Sequence, residues 1–123
     1  MAKLSEEKIN KITEFIKFVK KQLDIKKTPT VVLQDGRGKL KTTASYDYSQ
    51  ENKIVRVNAK DRATVDVMRS IAHELVHHKQ FEEGRLDGPK PKDIGGDIED
   101  EANAKAGQYI KMYSKIDPDI YNI

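Results

Sequence analysis

Residues 64–83 read TVDVMRSIAHELVHHKQFEE. Met68, Ile71, Ala72, Leu75 and Val76 recur at steps of three and one, the spacing that gathers apolar side chains into one stripe of an α-helix. Gly84 follows directly and is a natural helix stop, because it adopts left-handed backbone without a Cβ clash. This helix also carries the three histidines of the chain, His73, His77 and His78. His73 and His77 are one turn apart on one face, so both imidazoles can grip one ion. Glu74 lies about 100° round the helix and can reach a water at that ion rather than the ion itself. The pattern is H-E-x-x-H, which supplies two metal ligands and a general base from a single turn. A solvated helix face could carry His, Glu and Lys without any metal. Against that, Leu75 and Val76 sit between the two histidines, which places the imidazoles at the border of the core. His78 faces another way, as a neighbour of the site or a solvent-exposed residue.

Upstream, residues 5–24 place Ile9, Ile12, Ile16, Val19 and Leu23 at alternating steps of three and four, an amphipathic helix with Ser5 as N-cap and Glu6 and Glu7 at the positive end of its dipole. A β-rich section follows: TVVLQ at 30–34, a turn at Asp35-Gly36, a strand within 39–48, and KIVRVN at 53–58. Three strands in a small antiparallel sheet are expected. Downstream, GRLDGPKPKDIGGD at 84–97 holds too much glycine and proline for regular structure. A third helix is expected over 97–115, with Ile98, Ala102, Ala106, Tyr109 and Tyr113 on one stripe, followed by the tail DPDIYNI. That tail is short enough to fold over a cleft and inhibit.

A catalytic zinc takes three protein ligands and keeps a position for water. The start of the third helix offers Asp97, Glu99, Asp100 and Glu101. Acidic residues there are also ordinary helix-start charge, favoured by the dipole. Glu99 and Glu101 point about 200° apart, so only one of them can face the histidines. Ala102 and Ala106, on the helix face neighbouring Glu99, are small enough to let the two helices approach closely.

The whole chain sets limits. Its 123 residues suit one domain with one core. It contains no cysteine, so a disulfide framework, a zinc ribbon and a thiol nucleophile are excluded, and any metal must be held by His, Asp or Glu. No signal-peptide core and no membrane-length apolar run is present, and a cytoplasmic, monomeric protein without a membrane partner is expected. Net charge is +3, from 23 basic against 20 acidic residues, with much of the excess in KFVKKQLDIKK. Without a nucleic-acid motif or an aromatic stacking platform, that stretch reads as a solvated helix face.

H-E-x-x-H followed about twenty residues later by Glu99-Asp100-Glu101-Ala102-Asn103-Ala104-Lys105-Ala106 resembles the gluzincin group of zinc metallopeptidases. More narrowly it is similar to the ImmA/IrrE family, through the E-x-x-A-N pattern of Glu99, Ala102 and Asn103. Tyr46 and the strand Lys53-Ile54-Val55-Arg56-Val57-Asn58 resemble the strand that precedes the active-site helix in that family. The resemblance spans roughly residues 44–110. It implies an α+β zincin-like domain in which His73, His77 and Glu99 bind Zn²⁺ and Glu74 is the general base, with Glu101 the competing ligand. Asn103, one turn beyond Glu99, would orient a ligand histidine. The compactness suggests a minimal gluzincin of the kind a phage would encode.

The function expected is metal-assisted hydrolysis of a protein or peptide substrate, with a strand near 42–48 pairing with extended substrate. Tyr46, Tyr48, Tyr109 and Tyr113 are candidates to stabilise an oxyanion, although each reads first as a core or surface aromatic. Two other classes remain open: a zinc-holding regulatory or structural protein with little proteolysis, and a basic binding module carrying an incidental motif.

Overall fold

The computed structural model describes residues 5–34, 43–86 and 96–122. Along the chain run α1 (Glu6–Leu23), β1 (Thr30–Gln34), β2 (Ala44–Asp47), β3 (Ile54–Asn58), α2 (Thr64–Glu82), α3 (Asp97–Ile116) and a 3-10 turn at Pro118–Tyr121. The class is α+β, three helices with a small three-stranded sheet. The expected turn at Asp35-Gly36, the start of the second strand and most of the 84–97 loop lie outside the described residues.

The sheet is mixed rather than antiparallel, a correction to the expectation. Its order is β1-β3-β2: β1 runs parallel to β3, with Val31 opposite Val55, and β2 runs antiparallel to it, with Tyr46 opposite Val55. Burial gives the reason. Val55 and Val57 are fully buried, so β3 takes the centre, whereas β1 keeps Thr30 and Val32 exposed and suits an edge. Sequence-adjacent strands usually pair, and β1 and β2 do not.

Ser5 caps α1 by accepting the Lys8 N–H at 3.1 Å, and Asp24 closes it in the left-handed region at φ 53°. The buried face is Ile12, Phe15, Val19 and Leu23, so the stripe is rotated from the one expected: Ile9 is exposed and Ile16 only half-buried. Phe15 fixes the rotation, because its large ring packs edge-on against Tyr113 with centroids 5.2 Å apart.

α2 is the hub, packed against α1, α3, β2 and β3. Met68, Ile71, Ala72, Leu75 and Val76 are all buried, as their spacing requires. Gly84, at φ 73°, terminates the helix and lets the Arg85 N–H bond back to the Gln80 carbonyl at 2.9 Å. Gly96, at φ 93°, performs the converse turn into α3. Ala102 and Ala106 are buried in the first half of α3, and Tyr109, Ile110 and Tyr113 in the second, so the helix presents small side chains near Glu99 and large ones toward its end. Arg62 ties the β3–α2 junction, donating to the Asn58 carbonyl at 2.8 Å, the Asp66 carbonyl at 3.1 Å and Ser70 Oγ at 2.8 Å.

The tail does not close a cleft. Ile120 is fully buried in the core and Lys11 bonds Asp117 at 2.7 Å, so the segment seals the end of α1 and α3 instead. No described helix is long and apolar enough to cross a membrane.

Candidate metal centre

α2 presents His73 and His77 one turn apart, and the first turn of α3 brings Glu99 to both. His77 Nε2 lies 2.6 Å from Glu99 Oε1, His73 Nε2 lies 3.3 Å from Glu99 Oε2, and the two Nε2 atoms are 3.2 Å apart. The three potential ligand atoms all fall within 4.8 Å of one another. Glu74 is buried beside them, its Oε2 4.0 Å from His73 Nε2. Glu101 is turned away, as the helical angle between it and Glu99 demands.

Glu101 nevertheless reaches the centre through Gln80, a fully buried residue. The Gln80 amide nitrogen donates to the Ile98 carbonyl at 3.0 Å and to Glu101 Oε1 at 2.9 Å, and its Oε1 lies 2.8 Å from His77 Nδ1. Both amide protons therefore have acceptors, so Oε1 must be the atom facing His77, and Nδ1 must be the protonated ring nitrogen. The Gln80 hydrogen bond, reinforced by Arg85 Nη1 at 2.8 Å and opposed by burial, holds the Glu101 carboxyl below the usual carboxylate range.

This network tests whether a metal fits. His77 Nε2 lies 2.6 Å from Glu99 Oε1, so the ring nitrogen and the carboxylate converge on one point. Ligands of a tetrahedral zinc at ~2.0–2.1 Å lie ~3.4 Å from each other, close to the two separations His73 makes, whereas His77 and Glu99 at 2.6 Å would have to part to admit the ion. Two imidazole nitrogens and a carboxylate also form a donor set that suits zinc. The three residues could hold such an ion.

The centre borders a cleft of ≈ 540 Å³ lined by His73, Glu74 and Glu99 together with Thr43, Ala44, Arg69, Ser70, Asn103 and Ala106. Scans against family models, curated proteins and solved structures find no match to this chain. The centre therefore rests on its geometry.

Two of the residues singled out in the sequence, Asn103 and His78, have surroundings the sequence did not specify. At His77 the partner of Nδ1 is Gln80, which the sequence reading did not single out, while Asn103, expected to orient a ligand histidine, is exposed and lines the cleft beside His73. The sequence signal for Gln80 was its position three residues after His77, on the same helix face. His78 is neither exposed nor near the ion site. It is buried, with Nε2 2.6 Å from the Lys27 carbonyl, which can only accept. Nδ1 is then left to accept the Tyr46 phenol at 2.6 Å. Burial lowers the pKa of His78 and raises that of Tyr46. Tyr46 thus belongs to a structural pair. Tyr48 stacks on Tyr46, and Tyr109 and Tyr113 pack on Phe18, so none of the four tyrosines lines the cleft.

Proposed function

We propose that this chain is a zinc-dependent peptide hydrolase of gluzincin type, with His73, His77 and Glu99 holding the ion and Glu74 acting as general base. The observation that carries this reading is the convergence of Glu99 on both histidines with the Glu74 carboxylate alongside and a cleft in front. A bound zinc supplies Lewis acidity and brings the pKa of its water down to ~7. The chain does the rest. Gln80 fixes the His77 ring with Nε2 inward, and Glu99 reaches across from α3 so that the site exists only when both helices are docked. Glu74, buried at the cleft wall, accepts a proton from the attacking water and returns it to the leaving amine. Thr43 and Ala44, at the start of β2, form the wall along which an extended peptide would lie.

The test uses Glu74→Gln, which keeps the size of the side chain and removes the base. Zinc content, measured on protein purified without added metal, should stay at the wild-type level while cleavage of unfolded protein substrates falls by about 10²–10⁴-fold. Equal activity in the variant, or no cleavage by zinc-loaded wild type, overturns the reading.

A further inference from the structure

Arg69 stands one helical turn before His73 on α2 and lines the same cleft. Among the described residues it is the one cation of that lining, and it makes no ion pair or hydrogen bond there. Its neighbour Arg62 is committed to the Asn58 and Asp66 carbonyls and to Ser70. Ser70 also lines the cleft; its Oγ accepts from Arg62, which leaves the hydroxyl proton to donate.

A chain laid in this cleft covers the Arg69 guanidinium and strips part of its water. A neutral substrate offers nothing in return, whereas a carboxylate meets the planar fork with two charge-assisted bonds. The two carboxylates of the lining, Glu74 and Glu99, face His73, and neither is paired with Arg69. Four residues of helix span ~6 Å, and an extended peptide advances ~3.3–3.6 Å per residue.

We infer that Arg69, assisted by the Ser70 hydroxyl, recognises a substrate carboxylate one or two residues from the bond that is cut. This substrate class rests on the hydrolase reading above. The carboxylate has two possible sources, an Asp or Glu side chain within the peptide or the free C-terminus of the chain.

The probes are fluorescein-labelled octapeptide pools, degenerate except for one central position fixed as Glu or Gln, each made with a free C-terminal carboxylate and with a C-terminal amide. Binding is measured by anisotropy on the zinc-loaded full chain carrying Glu74→Gln, with and without Arg69→Gln, so that hydrolysis does not intervene. Carboxylate pools should bind about tenfold tighter than their neutral counterparts. That ratio should fall to near one with Arg69→Gln and recover in part with Arg69→Lys, which keeps the charge but not the fork. Preference for the amidated Glu pool over the amidated Gln pool assigns a side chain; preference for the free-acid Gln pool over its amide assigns a C-terminus. A ratio that is the same with and without Arg69, or equal or absent binding of all pools, overturns the inference. If wild type cuts no pool while Arg69-dependent binding persists, hydrolysis is the claim that fails and carboxylate recognition stands.

Discussion

His77 Nδ1 lies 2.8 Å from Gln80 Oε1, and the amide nitrogen of the same glutamine holds the Ile98 carbonyl and the Glu101 carboxylate of α3. A single buried amide therefore sets both the orientation of a histidine and the docking of the helix that carries Glu99. Gln80→Ala should weaken zinc binding about 10–100-fold, read by competition with a chromophoric chelator. Unchanged zinc affinity in a folded variant would show that His77 needs no such partner.

Glu99→Gln and Glu101→Gln should separate cleanly. Glu99 faces both histidines and Glu101 faces Gln80 and Arg85, so the first variant loses stoichiometric zinc while the second retains it with weaker affinity. Metal analysis of the two proteins after gel filtration decides this, and equal loss from both would reject the assignment of Glu99.

Glu82 gives a pH signature remote from the centre. Burial opposes its charge, but the Lys27 and Lys26 backbone N–H groups, donating at 2.9 and 3.0 Å, outweigh it and lower the carboxyl below its ordinary value of 4.5. In acid the unfolded chain then binds the proton more readily than the folded one, so the contribution is complete above ~4.5 and is lost as pH falls through the folded value. Glu82→Gln should cost about 1–3 kcal/mol near neutrality and flatten the dependence of the urea midpoint on acid pH. A midpoint that falls in acid as steeply as that of wild type would contradict this.

Ile120 is fully buried, so Ile120→Ala should destabilise the domain by about 2–5 kcal/mol. The tail does not line the cleft, and the same substitution should not raise catalytic rate. A faster, equally stable variant would revive the idea of an inhibitory tail.

The elements that could be read from the sequence are those whose evidence is local. The α2 stripe and the one-turn spacing of His73 and His77 follow from helical period alone, and Ser5 and Gly84 mark ends by their own chemistry. What could not be read depends on contacts between distant segments. The central place of β3 follows from Val31 meeting Val55 across a long connection, and the rotation of α1 follows from Phe15 finding Tyr113 at the far end of the chain. Helical angle showed that Glu99 and Glu101 could not both face the histidines; only the docked position of α3 shows that Glu99 is the one that does. Gln80 escaped notice because its role requires the Ile98 carbonyl, eighteen residues on, to occupy one of its protons.

His73 and His77 belong to one helix and Glu99 to another, with the whole 84–97 connection between them. A chain without cysteine cannot staple those helices covalently. An ion shared by the three side chains would do so reversibly, adding about 4 kcal/mol of stability when free zinc is a thousandfold above its dissociation constant. The lifetime of the folded protein would then track zinc supply, so that starvation for the metal would expose the chain to degradation.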